Sequence, residues 1–354
     1  MKRNGFIDII KFFFAIIIAE FHVNSGHFPG GRIGVEVFFM LNGYLMMRSL
    51  AKDPSDDNIA SSTAKFIWRK YKSLFYFLLP AAIVSYIVIC SCKDWPAELS
   101  LTRLPLLIFE IIPLYCTGML GEYVVGISWY LSSMFLALTI LYVLCKKFKR
   151  TFSLIVCPLI GVLGYGTLSQ FFGNLAVNKQ YLPETFIRTG LLRGIACCAI
   201  GCFLYELCQM VAQKKPTKIC RFALTVAELM GYMYMAFIMH NYPKTLYEYV
   251  VVFVIFGLLF IGINGFSFAT YLWNPKWTKY FGTASTLIVL CHSCWVHFLE
   301  KKFGNGFQNT SAIWWYVLAI ALTCGFVYVC SKILKFLFAQ MKKVKFWDDS
   351  VDTQ

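Results

Sequence analysis

Apolar residues run through this chain in long blocks, each close to the roughly 20 residues that a helix needs to cross bilayer hydrocarbon. Short basic or polar interruptions separate them. The blocks predict ten transmembrane helices, near 6–23, 33–50, 73–92, 127–145, 152–172, 191–211, 220–240, 247–268, 281–299 and 313–338. An eleventh block, 104–120, is shorter and is interrupted by Pro105, Glu110 and Pro113. The expected fold is all-α: a polytopic membrane helix bundle of about ten transmembrane helices with one short re-entrant or interfacial segment. No repeat period is visible. The polar stretch from Asp53 to Thr63 is the nearest thing to a flexible linker. The expected organisation is one membrane domain over 1–345 and a short cytoplasmic tail over 346–354.

Composition narrows this further. With 58% hydrophobic and 14% charged residues and a mean hydropathy of +0.63, the chain lies outside the soluble range, where roughly a quarter of residues are charged. Collagen-like, disordered, coiled-coil and disulfide-scaffold readings are excluded. The formal charge of +15 would suggest nucleic acid in a soluble protein. Here the aromatics fall in Phe-rich apolar runs rather than among basic residues, so no nucleic-acid partner is expected.

The excess charge serves topology instead. With the N-terminus inside, the loop from Arg48 to Lys72, the run Lys146 to Arg150, the run Lys214 to Arg221 and the basic tail all fall inside, provided that 104–120 does not cross. Twenty-three of the 33 Lys and Arg residues then lie inside and eight outside, which predicts cytoplasmic termini. The N-terminal block holds Asp8, Lys11, Glu20 and His22, which a cleaved signal would not need, so a retained first helix is expected.

Most of the 14 cysteines sit inside apolar blocks, where they behave as small hydrophobes. Cys291-His292-Ser293-Cys294 has the look of a metal half-site, but no second ligand pair has matching spacing, so no metal is expected. Cys90 and Cys92, near an outer helix end, are the pair most open to an oxidant.

Ionisable side chains at membrane depth cost several kcal/mol and therefore mark candidate function. Lys11 and His22 are eleven positions apart, about 20° beyond three full helical turns, so they share one face about 16 Å apart. Asp8, one turn below Lys11, is its expected partner. The bland alternative is a snorkelling lysine and an interfacial histidine. Glu36 is expected near the depth of His22, where a carboxylate would hold the imidazole tautomer and raise its basicity. Gly34 and Gly43 favour close helix approach and Asn42 an interhelical hydrogen bond. His292 lies deep in its block, whereas His240 and His297 fall at block ends. Arg193 either snorkels or binds an anion. Arg69, Lys70 and Lys72 precede the block at 73–92 and suit phosphate, a lipid headgroup being the plainer reading.

Together these residues resemble a known family. Phe6-Ile7-Asp8-Ile9-Ile10-Lys11 running to His22, and then Gly34-Val35-Glu36-Val37-Phe38-Phe39-Met40-Leu41-Asn42-Gly43-Tyr44, resemble the integral-membrane acyltransferase-3 family of bacterial cell-surface polysaccharide O-acyltransferases. Arg69 to Lys72 with Pro80, Ser128-Trp129-Tyr130-Leu131, Arg193 with Gly201, and Leu290-Cys291-His292 extend the likeness along the chain. The departures are Lys11 where the family has Arg, Glu36 where Asp is usual, Asn42 for the common Ser, and Met134 where many members carry Glu.

The resemblance implies a multi-pass enzyme of the bacterial cell membrane. Its co-substrate would be cytoplasmic acyl-CoA, acetyl-CoA above succinyl-CoA, with no permanently bound cofactor. Its acceptor would be a surface or lipid-linked glycan, and its partners membrane lipid and polysaccharide-assembly proteins. His22, Lys11 and Glu36 are then the expected catalytic residues. Arg69, Lys70, Lys72, Arg193, Trp129, His292 and Asn42 are the expected binding residues. The rival expectation is a transporter or flippase of lipid-linked glycan precursors, for which repeated halves with broken helices would be the signature. No such symmetry is visible.

Overall fold

A computed structural model describes residues 3–23, 27–52, 58–93, 95–117, 125, 128–177, 180–272, 278–304 and 310–341. The tail expected over 346–354, and part of the polar stretch 53–63, lie outside the described residues. The described chain is built from helices: α1 (Gly5–Val23), α2 (Gly34–Leu50), α3 (Ile59–Cys92), α4 (Ala97–Arg103), α5 (Leu107–Ile111), α6 (Ser128–Thr151), α7 (Cys157–Phe172), α8 (Thr189–Val211), α9 (Lys218–Asn241), α10 (Tyr247–Asn264), α11 (Thr278–Cys291), α12 (Ser293–Phe303) and α13 (Thr310–Met341). The protein is an all-α polytopic membrane bundle.

Length and apolar composition qualify six stretches to cross a bilayer on their own, and seven with the bent pair α11–α12 counted as one. Each of the ten expected ranges overlaps a helix, although 247–268 runs past the end of α10 at Asn264, and the difference in count has local causes. α2 has only 17 residues, and α1 carries Asp8, Lys11 and Glu20. The stretch Trp129–Phe172 counts once at 44 residues, although at about 1.5 Å per residue it is roughly twice the thickness of the hydrocarbon. Lys149 (φ 53°, ψ −140°) and a π-helical turn at Phe152–Val156 break it into α6 and α7. Both legs pack on α8.

Three sequence expectations need correction. α3 begins at Ile59, where the Asn58 side chain accepts a hydrogen bond from the Ala60 amide. Arg69, Lys70 and Lys72 therefore lie inside a helix, and no helix N-terminus is available there for phosphate. The range 281–299 is not one straight helix: α11 and α12 meet at His292 at an angle of 51°. Asp8 pairs with Arg3, which donates from both Nε and Nη, so the aspartate is not the dedicated partner of Lys11.

The described part of 104–120 forms no continuous helix. It consists of short pieces ending in a 3-10 turn at Tyr115–Thr117, as expected of a segment that does not cross.

α8 is the hub of the bundle. Small residues, among them Ala196, Cys197, Cys198, Ala199 and Cys202, are fully buried along it, and α2, α6 and α7 pack against it. The contact with α2 needs glycine on both helices. A Cβ on Gly43 would sit 2.0 Å from the Cys198 carbonyl oxygen, and one on Gly201 would sit 2.0 Å from that of Met40. At this separation the cysteine thiols reach across, Cys197 donating to the Glu36 carbonyl (3.2 Å) and Cys198 to that of Phe39 (3.3 Å). α9 and α13 lie at the periphery and present Phe222, Leu229, Met230, Leu322 and Phe326 outward, as lipid-facing helices do.

Candidate active site

Two histidines sit near helix C-termini, His22 exposed and His292 buried. His22 ends α1, and its Nδ1 donates to the Ile18 carbonyl at 2.8 Å. At the break His292 Nδ1 donates to the carbonyls of Ile288 (3.0 Å) and Val289 (2.9 Å), the first of which also accepts the His292 backbone amide. A carbonyl only accepts, so Nδ1 carries the proton on both rings and the basic lone pair is on Nε2. The rings meet edge to face with centroids 4.9 Å apart. His292 is buried, and its Nε2 has no hydrogen-bond partner among the described residues. Behind them the Tyr316 hydroxyl lies 3.1 Å from the Ala19 carbonyl and 3.3 Å from the His292 carbonyl. That tyrosine braces α13 against the ends of both α1 and α11.

The two histidines line a cavity of 360 Å³ together with Phe21, Trp129, Tyr130 and Arg193. A second cavity of 240 Å³ is lined by Lys11, Asn42, Lys70 and Met134, among others. Phe38, Tyr130 and Val289 belong to both linings, so the cavities adjoin. The stripe read from the spacing of Lys11 and His22 thus places one residue in each chamber.

The basic cluster of α3 divides. Lys70 turns inward, donating from Nζ to Asn42 Oδ1 at 2.7 Å. Asn42 in turn donates to the Tyr130 hydroxyl and the Phe38 carbonyl, each at 2.8 Å. Arg69 is exposed and Lys72 half-buried, and neither lines the two cavities. Successive helical positions are about 100° apart, so one face cannot present all three.

Glu36 does not support His22. Its carboxylate is fully buried, with Oε1 accepting from Arg193 Nε and Oε2 from the Tyr165 hydroxyl. Arg193 completes its contacts at the carbonyls of Leu175 (2.9 Å) and Arg32 (3.3 Å). The expectation failed because two helical carboxyl and imidazole groups at similar depth need not share a face. The His22 tautomer is set by a backbone carbonyl of its own helix instead.

A second buried pair, absent from the sequence reading, lies beside the first. Arg32 pairs with Glu248, whose carboxylate also accepts the amides of Leu175 and Lys244, each at 2.7 Å. Burial pulls the Arg32 guanidinium below its ordinary value and Glu248 opposes this, and arginine stays charged in either case. Arg32 and Glu248 are 216 positions apart, and no local pattern links them. Glu110 accepts the Val125 amide at 3.0 Å, and Ser293 donates to the Val125 carbonyl at 3.3 Å. The broken segment thereby reaches the neighbourhood of His292. His240 and His297 line neither cavity. They hydrogen-bond the His27 carbonyl and Glu300 respectively.

One cluster has the donor set of a soft metal ion: the Sγ atoms of Cys145, Cys157 and Cys202 lie within 4.8 Å of one another and are buried. It shares no lining residue with either histidine or lysine chamber.

A family model described as an acyltransferase domain matches residues 4–332. The chain belongs to the acyltransferase-3 family. No curated protein and no solved structure matches it. The protein is a membrane acyltransferase, and both chambers lie within the matched region. Met134 lines the lysine chamber and leaves that part of its wall apolar.

Proposed function

We propose that this acyltransferase moves an acyl group, acetyl in the first instance, from acyl-CoA to a hydroxyl of a cell-surface or lipid-linked glycan across a bacterial cytoplasmic membrane. The observation that carries the reading is the pair of adjoining chambers, one with Lys11 and Lys70 and the other with His22 and His292. Acyl-CoA does not cross a bilayer unaided, so a cytoplasmic donor and an external acceptor require a route through the protein, a requirement that adjoining chambers favour.

In this mechanism Arg69 and Lys72, near the surface of α3, meet the CoA phosphates, while Lys11 and Lys70 orient the thioester carbonyl from the inner chamber. The acceptor hydroxyl enters the outer chamber over Trp129 and Tyr130. His22 Nε2 removes its proton as the oxygen attacks the carbonyl carbon. Arg193 and Arg32 place positive charge on the wall where the tetrahedral oxyanion develops. The carbon–sulfur bond breaks, and the proton on His22 passes to the departing CoA sulfur, giving ester and free thiol. His292, edge to face with His22, holds the reacting imidazole at the cavity wall.

The reading is tested with purified protein in lipid nanodiscs, labelled acetyl-CoA and a mixed glycan fraction. CoA thiol is expected to appear in step with alkali-labile label on glycan. Thiol release without glycan label, or no release at all from folded protein, would overturn it.

A further inference from the structure

The charged groups around the histidine chamber are arranged with one polarity. Arg32, Arg193 and Lys244 line it, and among the described residues no carboxylate does. The two carboxylates that compensate the arginines, Glu36 and Glu248, are fully buried and set back from the cavity. Each ion pair is therefore an oriented dipole with its guanidinium toward the chamber and its carboxylate in the protein. Such an arrangement offers positive potential at a wall without leaving an uncompensated charge in the membrane, which would cost several kcal/mol.

The arrangement is also built to hold its shape. Arg193 donates to the Leu175 carbonyl while Glu248 accepts the Leu175 amide, so both pairs grip the same connecting residue, itself part of the chamber wall. Lys244 stands differently. Its amide is tied to Glu248, but its side chain is exposed at the chamber. No carboxylate partner is found for its ammonium among the described residues. It is the cation at the mouth that a ligand can neutralise.

Neutral sugars need hydrogen-bond acceptors as well as donors in their pocket, and binding sites for them commonly supply carboxylates for the hydroxyl protons. A chamber with three cations on its wall and its carboxylates withdrawn is matched to an oxyanion. On the basis of the acyl transfer proposed above, we infer that the acceptor is an anionic saccharide, carrying a carboxylate or a phosphate near the acylated hydroxyl, and that Lys244 is the residue that selects for that charge.

Matched glycosides test this in nanodiscs with acetyl-CoA as donor. The probes are p-nitrophenyl β-glucoside, p-nitrophenyl β-glucuronide, which differs by a carboxylate at the sugar C6, and the corresponding 6-phosphoglucoside. The glucuronide, the phosphoglucoside or both should exceed the glucoside in kcat/KM, and whichever is preferred identifies the anion. In Lys244→Gln the anionic-to-neutral ratio should fall roughly tenfold through KM, the size of one charge-assisted hydrogen bond at a partly solvated site, and Lys244→Arg should restore it. The preference should also weaken as ionic strength rises. Equal acylation of all three probes by the wild type, or a ratio that Lys244→Gln leaves in place, would overturn the inference while leaving acyl transfer itself intact. No acylation of any probe alongside labelled product on a glycan fraction would likewise overturn it. No transfer to any acceptor would instead remove the acyltransfer reading beneath it.

Discussion

Replacing His22 with Asn is expected to lower acyl transfer by about 10²- to 10⁴-fold, the usual worth of a positioned general base. The protein should stay folded, because asparagine keeps a donor for the Ile18 carbonyl that now accepts from Nδ1 and His22 is not part of the packed core. What is lost is the basic Nε2 at the chamber wall. The loss should appear in kcat, with KM for acetyl-CoA changed by less than about threefold, since the donor is assigned to the lysine chamber. Rates followed by thiol release and by label on the glycan should fall together. A variant that is folded, monodisperse and as active as wild type would remove His22 from the reaction, and a change confined to KM would reassign it to binding.

The second large effect concerns folding. Glu36→Gln leaves the Arg193 guanidinium buried without its counter-charge, and Arg193→Gln does the same to the carboxylate. Breaking a buried ion pair from one side costs about 3–5 kcal/mol, a substantial part of a typical domain's total stability. Both single variants should therefore yield little folded protein or melt far below wild type in detergent. The double variant Glu36→Gln/Arg193→Gln removes both charges, and two amides can still hydrogen-bond each other and the Tyr165 hydroxyl. It should recover much of the loss. This pattern separates the structural assignment of Glu36 from the catalytic one expected from sequence. Were Glu36 the support of His22, Glu36→Gln would fold normally and show a depressed rate.

Which features were legible in the sequence follows from how local their causes are. The ten apolar ranges were visible because each helix must satisfy its own backbone in lipid and is therefore written in consecutive residues. The break-up of 104–117 into short helical pieces was visible because Pro105 and Pro113 interrupt that segment. Lys11 and His22 were found together because helical periodicity relates residues of a single element. Partnerships between elements left no such trace. Glu36 and Arg193 are 157 positions apart, and nothing near either indicates that they meet, or that Tyr165 supplies the third contact. Arg32, counted from sequence as a topological charge in a loop, is in fact buried against Glu248. The start of α3 was missed because its first turns are polar and emerge from the apolar span, so hydropathy marks only the later part of the helix. The bend at His292 lacks proline or glycine, and there the imidazole donates to the carbonyls of Ile288 and Val289, a contact visible only once the side chain is placed.

In the proposed reaction the acyl group travels from the chamber of Lys11 and Lys70 to the chamber of His22 and His292. Sealed proteoliposomes with a single protein orientation test it directly. Acetyl-CoA labelled in the acyl group is placed on the side where α3 presents Arg69 and Lys72, and an impermeant glycan acceptor on the side where Lys244 is exposed. Labelled glycan is expected in this arrangement and none when donor and acceptor exchange sides. Label that appears only in the exchanged arrangement, or equally in both, would contradict it.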